Sequence, residues 1–141
     1  MAVASPAYVV DKSAFTRLRH GSVEAVLAPL VARDQVATCG VFELEILYSA
    51  RDARDFAGVR HELLGLPRFD FAQTDFDRAI EVLGMLAIRG QHRAGGLSDL
   101  LLAAIAERHA VTVLHYDAHF DLIAAVTNQP TRWVVPRGSV A

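Results

Sequence analysis

The sequence has few of the residues that mark several large classes of protein. Its 141 residues include a single cysteine, Cys39, and a single lysine, Lys12. One cysteine cannot form a disulfide within the chain or a thiolate zinc cluster, which argues against a disulfide-stabilised domain and a structural zinc site. No apolar run approaches the roughly 20 residues of a membrane-spanning helix, and the N-terminus lacks the basic and apolar regions of a secretory signal. We expect a cytoplasmic protein in which Cys39 is a small buried side chain.

The sequence also lacks an excess of positive charge. It has 14 basic and 16 acidic residues, a formal net charge of −2, which taken alone argues against an RNA or DNA partner. Hydrophobic residues make up 52% of the chain and charged residues 21%, enough material for a core. The length is that of one ordinary domain, so we predict a single domain over residues 1–141.

Short β-like runs alternate with longer helical patterns along this domain. The predicted strands are 8–10, 36–38, 68–71, 111–114 and 132–135. The predicted helices are 13–19, 23–32, 41–49, 54–64, 75–89, 99–109 and 120–126, with Ser98 as an N-cap candidate. Strands that are apolar on both faces and separated by helices predict a three-layer α/β/α sandwich with a mainly parallel central sheet. In such sheets ligands bind beyond the carboxyl ends of the strands.

Acidic residues lie where this fold would place a ligand. Asp11 and Asp117 follow predicted strands, and Asp99 opens an apolar helix. Each also has an ordinary interpretation as a turn residue, an N-cap or a first-turn acid. Glu43 differs, because it lies within an apolar helix, where a carboxylate is costly unless it is paired or ligated.

A second glutamate, Glu45, competes with Glu43 on the same helix. Two residues of spacing turn the side chains about 200° apart, so both cannot face one pocket. We favour Glu43 because it shares a stripe with Ile46, Leu47 and Ala50. Four converging carboxylates would raise one another's pKa values unless a cation lay between them, and oxygen ligands select Mg²⁺ or Mn²⁺.

Four segments of the chain follow the order and spacing of a PIN domain. They are Val9 to Phe15, the Glu43-Leu44 helix, Leu97 to Ala104, and Val113 to Asp121. From about Tyr8 to Val135 the chain resembles VapC-type toxins of bacterial toxin–antitoxin pairs. The resemblance implies a Mg²⁺-dependent endoribonuclease of α/β/α fold, a homodimer or toxin–antitoxin hetero-oligomer, and a small VapB-type antitoxin as partner.

The resemblance also implies roles for particular residues. By the family pattern the acidic pocket comprises Asp11, Glu43, Asp99 and Asp117, with Asp11 and Asp99 as direct metal ligands and Ser13 as the polar residue beside the first acid. Either Glu43 or Asp117 would orient or deprotonate the attacking water. The chain departs from the pattern at His119, where family members often have a second acid. This departure argues against a second firmly held metal, unless Asp121 supplies the missing charge.

RNA binding by a chain of net charge −2 requires local basic patches. The first candidate is the glycine-containing loop 89–96, with Arg89 and Arg93, and the second is Arg51 with Arg54; for each, a solvated surface run is the alternative interpretation. Ser13, beside the first acid, is a further RNA-binding candidate. Apolar residues in and just before segment 51–64 indicate either core or a groove for an antitoxin segment or a dimer contact. A PIN-like module that binds RNA or a partner without cleavage is the alternative function.

Other α/β classes with acidic sites match the chain less well. A phosphoryl-receiver domain needs a late lysine, and a haloacid-dehalogenase-type hydrolase needs an Asp-x-Asp where this chain has Asp11-Lys12-Ser13. A dinucleotide-binding fold needs a glycine-rich fingerprint after the first strand, and none is present.

Overall fold

The computed structural model describes residues 5–141. Over this range the chain forms five strands: β1 (Tyr8–Val10), β2 (Val36–Cys39), β3 (Arg68–Phe69), β4 (Thr112–His115) and β5 (Thr131–Trp133). Seven helices accompany them: α1 (Lys12–Phe15), α2 (Gly21–Ala32), α3 (Gly40–Tyr48), α4 (Ala53–Leu64), α5 (Gln73–Ile88), α6 (Leu97–Arg108) and α7 (His119–Thr127). Each predicted strand and helix thus has a counterpart in the structure.

The five strands form one sheet in the order β3-β2-β1-β4-β5, and every pair is parallel. Strand β2 is buried at all four of its positions, and three of four are buried in β4. Because successive side chains of a strand point to opposite faces, both faces of the sheet must be covered by helices. The predicted α/β sandwich with a parallel central sheet is confirmed.

The strand order places a switch point beside the central strand. The chain passes from β1 to β2 on one side and later returns to β4 on the other side of β1. The pairing of β1 with β4 extends one residue further, since the amide of Asp11 donates to the Leu114 carbonyl at 2.8 Å. Residues that follow β1 and β4 therefore share one edge of the sheet, at the place where α/β proteins bind ligands.

The core consists of apolar side chains from the central strands and from the inner faces of the helices. Its largest fully buried members include Phe42, Phe120 and Ile105. Cys39 is also fully buried and forms no disulfide, and burial raises the pKa of its thiol to about 11. The prediction that this cysteine is a small buried side chain is confirmed.

Several predicted boundaries need correction. Strand β3 has two residues, not four, because it lies at the sheet edge and pairs only with the end of β2 before the chain enters α5. Helix α1 ends at Phe15, where the chain continues in i to i+3 turns, such as that from Arg17 to Ala14. The N-cap of α6 is Gly96, so Ser98 lies inside the first turn.

Two expectations from the sequence concern a membrane-spanning helix and a secretory signal. Between residues 5 and 141 no helix is both long and apolar enough to cross a membrane. The expectation that the N-terminus is not a secretory signal falls partly on residues 1–4, which lie outside the described part of the chain.

Candidate functional site

Asp11 lies between the end of β1 and the start of α1 and is 5% exposed. As the N-cap of α1, its Oδ2 accepts a hydrogen bond from the Ser13 amide at 3.0 Å and another from the Ser13 hydroxyl. The Ser13 Oγ in turn accepts from the amide of Tyr116 at 2.9 Å. Ser13 therefore joins Asp11 to the segment that follows β4 and fixes the orientation of the Asp11 carboxylate.

Asp99 lies in the first turn of α6 and is held from α7. Its Oδ2 is 2.7 Å from Nδ1 of His119, and the two side chains are 10% and 3% exposed. The backbone at Gly95 covers the imidazole so closely that a Cβ there would overlap the ring. Loop, histidine and carboxylate thus pack as one unit, and this unit depends on glycine at position 95.

The electrostatic environment of Asp11 is unfavourable for its ionised form. Burial raises the pKa of Asp11 to about 6, against the lowering effect of the two Ser13 hydrogen bonds. The negative charges of Asp99 and Glu45 raise this pKa further. Three carboxylates therefore share this edge of the sheet, and a bound cation would favour the ionised form of Asp11.

Glu45, and not Glu43, belongs to this group. The Glu45 carboxylate is half-buried and lies 3.3 Å from the ammonium of Lys12, the residue that follows Asp11. Helix α3 buries Phe42, Glu43, Ile46 and Leu47 on one face, which turns Glu45 toward the other. The two glutamates cannot reach one pocket, as the helical spacing requires, and the structure puts Glu45 beside Asp11.

Glu43, predicted to share a cleft with Asp11, has its polar contacts with Thr38, Arg60 and Arg68 in the structure. Glu43 does lie in the apolar stripe with Ile46 and Leu47, but its charge is neutralised by protein cations. Its Oε2 accepts from the Thr38 hydroxyl at 3.2 Å and lies 3.4 Å from Arg68 Nε, and its Oε1 lies 3.8 Å from Arg60. Sequence periodicity identified the buried glutamate but not the two arginines, which come from α4 and β3.

Asp117 lies in the short turn between β4 and α7. Its Oδ1 accepts from the His119 amide at 2.9 Å, which is the turn role considered as its ordinary interpretation. Its own amide donates to Nδ1 of His115 at 3.2 Å. His115 is fully buried, and burial lowers its pKa to about 4, so its neutral ring is available as the acceptor. The two bonds fix the turn that presents Asp117 at the end of β4.

The remaining candidate residues have surroundings of their own. Arg89 and Arg93 are exposed in the loop between α5 and α6, where Gly90 adopts a positive φ of 68°. Arg51 pairs with Asp55 at 3.3 Å. Asp121, considered as a replacement acid, accepts from the Trp133 indole at 3.2 Å.

The donors at this edge of the sheet are carboxylates. Over residues 5–141 no three histidine, cysteine or acidic side chains are arranged as a ready-made metal site. Magnesium, however, is usually held by one or two carboxylates together with water and substrate phosphate oxygens. Asp11 and Asp99 fit that open kind of site.

Comparisons with known proteins identify the family of the chain. The PIN domain family model matches residues 8–126. "Ribonuclease VapC51" of Mycobacterium tuberculosis is 38% identical over 133 residues, covering 94% of this chain and 96% of that protein. "Ribonuclease VapC18" from the same organism is 39% identical over 135 residues, covering 94% and 98%.

Solved structures share the fold. The VapBC2 complex of Rickettsia felis bound to a promoter DNA fragment matches with a TM-score of 0.72 at 18% identity, covering 89% of this chain and 98% of the matched chain. DNA-bound VapBC from Salmonella typhimurium matches with a TM-score of 0.74 at 12% identity, covering 92% and 99%. At such identities these matches establish the fold alone. With the family model and the curated relatives, they lead to the conclusion that the chain belongs to the PIN domain family and, within it, to the VapC ribonucleases.

Proposed function

We propose that this protein is a Mg²⁺-dependent endoribonuclease, the toxin of a toxin–antitoxin pair, that cleaves RNA phosphodiester bonds at the carboxyl edge of its sheet. One observation carries the proposal: Asp11 is buried beside Asp99 and Glu45 at the switch point. Such a concentration of negative charge is costly for folding and is useful for holding a cation. Mn²⁺ has the same preference for oxygen ligands and is expected to substitute.

Asp11 and Asp99 are the residues that would hold the ion. When bound, it supplies Lewis acidity toward the phosphate and lowers the pKa of a water molecule. The chain's own contribution is orientation, since Ser13 fixes Asp11 and His119 fixes Asp99. Glu45 takes the place that the sequence analysis gave to Glu43, so either Glu45 or Asp117 would orient the water.

Loop 89–96 is proposed as the contact for RNA phosphates outside the reacting bond. Arg89 and Arg93 are exposed there, and Gly95 of the same loop packs against the His119 ring. Because phosphate contacts release counterions, replacing both arginines should weaken binding of all RNA sequences alike. Binding measured against salt concentration checks this, and an unchanged slope in the double variant would contradict it.

A VapB-type antitoxin is the proposed protein partner. It would bind either one copy of this chain or a homodimer of it. Apolar side chains of α1, α2 and the end of α4 line a cavity of about 390 Å³, with Phe15, Leu18, Leu27, Val31, Leu63 and Leu66 among them. This groove involves only the end of segment 51–64, in which Leu63 is buried while Phe56 and Leu64 are exposed. An apolar helix of an antitoxin is the proposed occupant.

Cleavage of RNA by the purified protein tests the function. We expect wild-type protein to cut single-stranded RNA with Mg²⁺ and to lose this activity in EDTA, with recovery on addition of Mg²⁺. Asp11→Ala should not cut RNA while keeping the wild-type circular dichroism spectrum. Cleavage by Asp11→Ala at the wild-type rate would refute the site. RNA binding without cleavage by the wild type, with every metal tested, would favour the alternative of a binding module.

A further inference from the structure

Helix α3 presents an exposed aromatic side chain next to the acidic group. Tyr48, its last residue, is 92% exposed, although aromatic side chains usually bury most of their surface. It lies one turn after Glu45, and side chains three positions apart on a helix have Cβ atoms about 5–6 Å apart. The phenol ring is therefore adjacent to a carboxylate that acts on Asp11.

Two cations near Tyr48, Lys12 paired with Glu45 and Arg51 paired with Asp55, keep much of their side chains exposed. Lys12 pairs with Glu45 on one side and leaves 45% of its own side chain exposed. Arg51 follows three residues later, with 85% of its side chain exposed. Leu44, 72% exposed, is the apolar neighbour one turn earlier on the same face. An exposed aromatic ring close to accessible cations is a combination with which proteins hold single-stranded nucleic acid.

We propose that Tyr48 is a stacking platform for an unpaired base of the RNA substrate, close to the bond that is cut, and that Arg51 contacts a phosphate of the same strand. This inference rests on the proposed ribonuclease function. It adds a preference for single strands, because a base within a duplex has no free face for the ring.

A protein partner is the competing occupant of this face. A stable protein interface buries about 800 Å² on each side, which Leu44 and Tyr48 alone fall short of. A contact between apolar surfaces would use both side chains, whereas base stacking uses only the ring. The pair therefore distinguishes the two occupants, and Leu44→Ala is the matched control for Tyr48→Ala.

The experiment measures binding of a labelled single-stranded oligoribonucleotide by fluorescence anisotropy, in Mg²⁺, with Asp99→Asn present in every protein to prevent cleavage. Tyr48→Ala should weaken binding roughly 5- to 100-fold, the range for loss of one stacked base. Tyr48→Phe should bind within about twofold of the parent because it keeps the ring, and Leu44→Ala should do the same. Circular dichroism verifies that all variants are folded.

A second series replaces one nucleotide at a time by an abasic residue. At one position, removal of the base should weaken binding of the oligonucleotide to the parent protein. The same abasic oligonucleotide and the intact one should bind Tyr48→Ala equally well. Equal binding by the parent and Tyr48→Ala overturns the proposal, as does a change of molecular mass in both Tyr48→Ala and Leu44→Ala, which would show a protein interface. No RNA binding by the parent and no RNA cleavage by wild type would instead refute the ribonuclease function.

Discussion

The molecule contains two groups of carboxylates that are buried to a similar degree but have different polar neighbours. Glu43 and Asp75 are 6% and 1% exposed, and each contacts arginine side chains. Asp11 and Asp99 are 5% and 7% exposed, and their closest polar side-chain contacts are a serine and a histidine. Burial alone therefore does not distinguish a structural acid from a site acid in this protein.

The two groups differ in whether an arginine of the protein contacts the carboxylate. Arg108 donates to both oxygens of Asp75, at 2.7 and 2.9 Å, and keeps the pKa of this acid low despite its burial. Burial raises the pKa of Asp11 to about 6, and the charges of Asp99 and Glu45 add to this rise. The ion pair of Asp75 joins α5 to α6, and those of Glu43 join α3 to α4 and β3. Asp11 and Asp99 form the proposed cation site.

The largest effect should come from removing a site acid. Asp99→Asn should lower the rate of RNA cleavage by at least roughly 100-fold, since even residues that only orient metal ligands are worth 10- to 100-fold. Glu45→Gln should lower the rate by roughly 10-fold or more if it orients the water. Gel-based initial rates at equal concentrations of folded protein measure both.

Glu43→Gln is the matched control on the same helix. It should cleave RNA within about threefold of wild type, because its contacts are with Thr38, Arg60 and Arg68 and not with the site. If Glu43→Gln is inactive and Glu45→Gln is fully active, the assignment of the two glutamates is reversed.

Removing the cation of a structural acid should affect stability rather than activity. Arg108→Met leaves Asp75 buried without its ion pair, which should lower the free energy of unfolding by about 3 kcal/mol. Arg78→Met, which breaks a more exposed pair with Glu107, should cost about 1 kcal/mol or less. Urea unfolding measures both values. Equal costs in the two variants would show that burial of Asp75 is unimportant.

Removing the charge of Asp11 should stabilise the protein in the absence of metal. The folded-state pKa of about 6 exceeds the ordinary value of 3.8, so the unfolded chain releases this proton first as pH rises. The contribution of Asp11 to stability is thus lost between about pH 4 and pH 6. Asp11→Asn should be more stable than wild type by about 1–3 kcal/mol at pH 7.5 in EDTA, and nearly equal to it at pH 4.

Urea midpoints at the two pH values measure this difference in stability. Because His115 titrates in both proteins, its effect cancels when the variant is compared with wild type. Mg²⁺ should raise the midpoint of wild type and not of Asp11→Asn. A difference that is the same at both pH values would show that the Asp11 charge is not the cause.

The smallest effect concerns the loop that covers His119. Gly95→Ala would place a Cβ against the imidazole and force the Asp99–His119 unit to shift, at a cost of about 1–2 kcal/mol. Gly84→Ala in α5 meets nothing within 4 Å and should stabilise the helix by about 0.5–1 kcal/mol. Thermal unfolding compares the two, and a stabilising Gly95→Ala would contradict the close packing.

Much of the fold could be predicted because apolar runs and their spacing decide where strands and helices form. The acids at the ends of β1 and β4 could be predicted as well, since the topology of a parallel sheet brings strand ends together. The two glutamates of α3 could not be distinguished, because both faces of that helix carry apolar residues. Arg60 and Arg68 show which glutamate is paired within the protein, and their approach to Glu43 is a tertiary contact.

The contact between Asp99 and His119 was only partly accessible from sequence. His119 stood out as a departure from the family pattern near the acidic group, and the structure places its ring against Asp99. The need for glycine at position 95 arises from three-dimensional packing over that ring, which no local pattern records. The short length of α1 likewise follows from the turns after Phe15, not from its propensity.

Calorimetric titration of Mn²⁺ into the purified protein tests most directly whether the acids without arginine partners form a cation site. Wild type and Glu43→Gln should bind the ion with the same stoichiometry and similar affinity. Asp11→Asn and Asp99→Asn should show no saturable binding at the same concentrations. Undiminished binding by both aspartate variants, or loss of binding in Glu43→Gln alone, would contradict the account.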